Sequence, residues 1–217
     1  MSNAVRMFDE DLEAFCRVRL RTLELVRPLT QEQLDQAPAP GKWSVGETVE
    51  HIILAAGLLQ RDLEALIQLK RSGRRPFLRR TFSDIDIGLT FVPKASLLLL
   101  EIPFSLLSSF LIEPVRAYFT RNRLIRFRAA TEATPRHGLP ADELNNRLLT
   151  SLESVRRTYE INADLDFREL VAQHPLTGYL NMLELLRFMT NHELRHQKQI
   201  LEALQLAGRR VNGVDCR

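Results

Sequence analysis

The chain has 217 residues, enough for one substantial core without requiring a second domain. Hydrophobic residues make up 45% and charged residues 26%, with 9 Gly and 10 Pro, which excludes a disordered or collagen-like chain and leaves most of the length free to be helical. The net charge of +3, carried mainly by arginine, permits anionic partners but does not mark a nucleic-acid binder. Cys16 and Cys216 make no disulfide framework, so a reducing cytoplasm is the expected compartment.

No apolar segment separates Met1 from Asp9, Glu10 and Asp11, so no secretory signal is expected. From Asp9 to Arg27 apolar residues fall at Leu12, Phe15, Cys16, Leu20, Leu23 and Val26, a helical stripe that stops at Pro28. Leu29 to Lys42, with Pro38, Pro40 and Gly41, reads as a loop holding a short helical turn at Thr30–Leu34. Ser44-Val45-Gly46-Glu47 has the form of a capping box and opens a second helix from Val45 to about Lys70.

The stretch from Arg71 to Pro140 is the least regular. A basic run, Lys70 to Arg75, leads into Ile85–Ile112, rich in Leu, Ile, Phe and Ser; further arginines follow at 116, 121, 123, 126 and 128. A membrane-spanning helix needs about twenty apolar residues with few charges, and Lys94, Glu101, Pro93 and Pro103 break this one. Three readings remain: a helical hairpin or lid on the main body, a contact with a second subunit, or peripheral contact with an anionic membrane surface.

Pro140-Ala141-Asp142-Glu143 opens a third helix, with its stripe at Leu144, Leu148, Leu152, Val155 and Tyr159, ending near Asn162. Leu165–His174 reads as a linker with a helical turn at Phe167–Leu170, and the last helix is expected from Tyr179 to about Leu206, closed by Gly208. No strand pattern competes. The expected fold is therefore all-α, a four-helix bundle with a long crossover between helices two and three. That crossover carries a helical insertion at about 73–135 within a single domain, 1–217.

Three histidines stand out. His192 and His196 are four apart, so both rings project from one helix face. A bare pair of this kind is more often two surface residues. The neighbouring Leu185, Leu186, Phe188, Met189 and Leu194, however, turn the face toward the interior, where an unpaired polar ring is costly. His51, beside Ile52, Ile53 and Leu54, brings a third imidazole to an inward face of the second helix. Neutral imidazole is a common metal ligand, and three protein ligands with an open position is the layout of catalytic zinc sites. Hydrogen bonds to Glu47 or Glu50 are the alternative without metal. His192-Glu193-Leu194-Arg195-His196 also spells the zinc-protease pattern. That reading lacks a downstream third ligand, since Glu202 lies too close on the same helix and Asp215 in the tail, and it lacks an edge strand.

Taken together, Trp43-Ser44-x-x-Glu47-x-x-x-His51, His174-Pro175-x-x-Gly178 and His192-x-x-Arg195-His196-x-x-Gln199 resemble the DinB superfamily, the DinB/YfiT-like metalloenzymes. The resemblance covers helices one and two and the chain from about His137; the segment from about Gly73 to Pro135 does not look like the compact family core. It implies a four-helix bundle and a metal triad of His51, His192 and His196, with zinc or nickel as the divalent ion and a homodimer as the common assembly. Characterised members resemble thiol-dependent transferases or isomerases using bacillithiol or mycothiol, and others resemble hydrolases. A low-molecular-weight thiol is thus a further cofactor expectation, a small molecule the expected substrate, and no nucleic acid is expected. Trp43 and Ser44 read as packing and cap residues, Gln199 as a partner for His196, Glu47 and Glu50 as groups that orient His51, and Glu193 as solvated. No residue is assigned as a general base. A non-catalytic binding or stress-response module, acting through the Leu/Arg-rich insertion, is the competing function.

Overall fold

The computed structural model describes residues 3–81, 84, 88–89, 113–121, 127–128, 130–174 and 178–206. Among the described residues six helices lie in chain order: α1 Asn3–Val26, α2 Gln31–Asp35, α3 Val45–Arg71, α4 Glu113–Arg121, α5 Ala141–Ile161 and α6 Met182–Leu206. Short strands fall at β1 Phe77–Arg79, β2 Gly88–Leu89, β3 Phe127–Arg128, β4 Val171–His174 and β5 Gly178–Asn181, and a 3-10 turn at Thr131–Ala133. The chain is predominantly helical, as expected. Each long helix packs on two others: α1 and α3 both touch α5 and α6.

Local chemistry starts these helices. Thr30 and Gln33 close a capping box on α2. Ser44 does the same for α3, its Oγ accepting from the Glu47 N–H at 3.1 Å while the Glu47 carboxylate accepts from the Ser44 N–H at 2.7 Å. At the other end of α3 the chain turns through Ser72 and Gly73, whose φ of +72° suits glycine. The α5 stripe is buried throughout, at Leu144, Leu148, Leu152, Val155 and Tyr159.

On α1 the stripe differs from expectation. Leu20 is 48% exposed, whereas Arg19 and Thr22 are buried with Leu12, Phe15 and Val26. Residues 12, 15, 19, 22 and 26 follow the three-and-four spacing of one helix face, so the face is continuous although two of its members are polar. Their partners lie on α6.

Two apolar clusters result. One gathers Phe15, Leu66, Tyr159, Leu180 and Leu186; the other gathers Val26, Leu34, Val49, Leu148 and Ile200. Along α1 and α6 a polar segment separates them: Arg19 and Thr22 between Phe15 and Leu25, and 190–197 between Met189 and Ile200.

The expectation of no strands is corrected. β4 pairs antiparallel with β5, from Val171 opposite Asn181 to His174 opposite Gly178, and β1 pairs parallel with β4, Phe77 opposite Val171. Phe167–Leu170 is a turn leading to β4, not a helical turn, with Asp166 held by Arg168. The last helix starts at Met182, not Tyr179, because Asn181 caps it: its Oδ1 accepts from the N–H groups of Leu183 and Glu184 at 3.1 and 3.0 Å.

Both ends of the 73–135 stretch join this body. β1 extends the sheet, α4 packs on α6, and the Thr131–Ala133 turn packs on α3. The apolar stretch 85–112, with the hairpin, membrane and subunit contacts expected of it, lies outside the described residues apart from β2, as does Gly208. No helix among the described residues is long and apolar enough to cross a membrane.

Candidate metal centre

Packing of α3 on α6 brings His51, His192 and His196 together. One ligand atom from each lies within 4.8 Å of the others. The ring centroids of His192 and His196 are 4.4 Å apart, and those of His51 lie 5.3 and 4.8 Å from them. His51 and His196 are buried, and His192 is partly exposed.

Two of the rings are aimed by hydrogen bonds through the opposite nitrogen. His51 Nδ1 donates to the Ala133 carbonyl at 2.8 Å, and His196 Nδ1 donates to Gln199 Oε1 at 2.7 Å. Each bond selects the tautomer that leaves Nε2 with a lone pair. The Nε2 atoms of His192 and His196 stand 3.1 Å apart. Two nitrogens at about 2.0–2.1 Å from one ion at a tetrahedral angle are separated by about 3.3 Å, so this pair has the spacing of two ligands of a single ion.

The electrostatics favour neutral rings. Burial pushes the His51 pKa down, with the Arg195 charge adding to it against the Ala133 hydrogen bond. Burial also pushes His192 well below the ordinary histidine value, helped by His196 and Arg195. Neutral imidazole is the form that binds metal. Three such nitrogens suit zinc, nickel, iron and copper alike. The Trp43 ring lies 4.7 Å from that of His51, and Phe188 stacks on His192 at 6.0 Å.

Other expected site residues take different places. Gln199 is the partner of His196, as expected. Ser44 caps α3, and Trp43 packs against His51. Glu47 and Glu50 do not hydrogen-bond to His51 directly. Glu47 belongs to the cap, and Glu50, with its side chain 1% exposed, accepts from Arg136 Nε and from Arg147 Nη1, each at 3.0 Å. Burial pushes the Glu50 carboxyl up, but the hydrogen bonds from Arg136 and Arg147 outweigh it and hold the pKa below the usual value. Glu50 thereby ties down the segment whose Ala133 carbonyl holds His51.

Glu193 is not solvated either. Its carboxylate is 1% exposed, its two oxygens share the single Arg19 Nε–H at 2.9 and 2.8 Å, and it accepts from the Thr22 hydroxyl. Arg19 also donates to Ser151, and Gln197 donates to Thr22 and to the Val18 carbonyl. One residue beyond His192, Glu193 is rotated about 100° from it, toward α1 and away from the imidazole cluster. It anchors α6 to α1. His174 and Gly178 form the last pair of the β4–β5 hairpin, with Gly178 at φ +72°, so this part of the pattern serves a turn.

Two contributors escaped the sequence reading, the Ala133 carbonyl and the Arg19–Glu193 pair, and Arg195, quoted there as part of a motif without a role, places its Nη2 3.2 Å from His196 Nε2. A main-chain acceptor leaves no trace in residue letters, and an arginine within a helix reads as a solvated charge. No curated protein and no solved structure matches the chain. A sequence model of the DinB superfamily does, over residues 14–200, and the chain belongs to that superfamily.

Proposed function

We propose that the chain is a metal-dependent enzyme acting on a small molecule. In this reading His51, His192 and His196 hold one divalent ion, zinc or nickel, and the four long helices form the four-helix bundle that supports it. The observation that carries it is the convergence of three ligand atoms within 4.8 Å, with two of the rings aimed through the opposite nitrogen. Superfamily membership supports the same assignment.

A divalent ion held there supplies Lewis acidity, lowering the pKa of water or a thiol bound at its open position. That suits hydrolase or thiol-dependent transferase chemistry. The chain's own residues orient and enclose. Ala133 and Gln199 fix two imidazoles, Trp43 and Phe188 flank His51 and His192, and the partly exposed His192 marks the side from which a ligand enters.

Metal content of the purified chain, measured by plasma mass spectrometry after loading with zinc or nickel, tests the site. Wild type should hold about one ion per chain, and His192→Ala should lose most of it. Full retention in that variant overturns the assignment. Transfer assays with bacillithiol, mycothiol or glutathione, run beside ester and amide hydrolysis, separate the two chemistries.

A further inference from the structure

Arg195 lies three residues after His192 and one before His196, and its side chain turns back onto the imidazole cluster. Nη2 stands 3.2 Å from His196 Nε2. A guanidinium can only donate, so in this contact it uses the Nε2 lone pair of His196 as acceptor. That lone pair is the one a divalent ion takes.

With the lone pair engaged by an ion, Nη2–H loses this acceptor and two cations face each other at short range. In a partly buried site that contact is unfavourable, and water screens it poorly. An anion between them reverses the sign. One of its oxygens meets the open coordination position and another meets the guanidinium, which suits the planar fork of arginine. Arg19 is unsuited to the task because its Nε–H goes to both oxygens of the buried Glu193 carboxylate.

We propose that Arg195 makes the open side of the three-histidine site an oxyanion-binding position, so that the substrate presents a carboxylate or phosphate group beside the reacting atoms. The inference rests on the metal reading above and adds the chemical class of the ligand.

Cobalt(II) affinity of the full chain, followed by ligand-field absorption, tests it without an activity assay. It is measured alone, with sodium acetate and with inorganic phosphate. In the wild type at least one of these anions should change the spectrum and tighten cobalt binding, since the two ligands must strengthen each other reciprocally. Arg195→Gln should bind cobalt at least as tightly as wild type in the absence of anion. It should also lose about tenfold or more in anion affinity, the scale of one charge-assisted hydrogen bond. Arg195→Lys, which keeps the charge without the fork, should fall between.

A purely structural role for Arg195 would instead weaken cobalt binding in Arg195→Gln and leave the anion response intact; that result overturns the proposal. Loss of cobalt from both variants overturns it as well. Loaded wild type that ignores acetate and phosphate sinks this inference alone, whereas wild type that binds no cobalt sinks the metal reading and this inference with it.

Discussion

Glu193 shows how the same letters take different physical roles. In a zinc protease the carboxylate beside the first histidine works on water; here it is enclosed against Arg19 and Thr22. Removing the carboxylate should therefore act on stability. Glu193→Ala leaves the Arg19 charge buried without its counter-ion and should cost about 3–5 kcal/mol, read as a lower urea midpoint. An apolar double replacement, Arg19→Met with Glu193→Leu, should recover most of that loss; a stable Glu193→Ala protein with only a lost rate would contradict the anchoring role. The i, i+4 spacing singled out His192 and His196, and His51 joined them only through the expected bundle and the resemblance of the surrounding motifs to the DinB superfamily. Arg19 was not legible, because its burial depends on a partner 174 residues away.

At the scale of elements, helices α1, α3 and α5 were readable from their period and caps, and α3 within one residue of its observed end. The sheet was not. Its strands have three or four residues, too few to establish alternation, and β1 pairs with a strand more than ninety positions away. The segment around Thr131–Ala133 matters more to the site than its sequence suggests, since Glu50 grips Arg136 and so steadies the carbonyl that aims His51. Glu50→Ala should lower metal affinity about 10–100-fold, the usual effect of losing support behind a ligand, in competition with a chelator. Unchanged affinity would mean that the turn holds without Glu50. Ser44→Ala should cost about 1 kcal/mol through the lost α3 cap, seen in thermal unfolding.

For the whole molecule, acid sensitivity follows from enclosed imidazoles. Burial, with Arg80 nearby, pushes His174 down to about 4 from an ordinary 6.5. Below 6.5 the unfolded chain takes up a proton that the folded chain refuses until about pH 4. Stability is therefore unaffected by this group above 6.5 and declines as pH falls from 6.5 toward 4, by up to about 3 kcal/mol. His174→Gln should flatten the urea midpoint over that window by the equivalent of one proton; an unchanged slope would show that His174 is not the group responsible. The contact that aims His51 has a different kind of consequence. Its acceptor is a main-chain oxygen, so no particular side chain at 133 supplies it, and only the small space around the buried Ala133 restricts the choice. Ala133→Ser should leave metal affinity within about twofold, since neither the carbonyl nor the bulk changes much. Position 133 is thus held to a size and not to a side-chain chemistry, while the imidazole above it is aimed by the main chain alone.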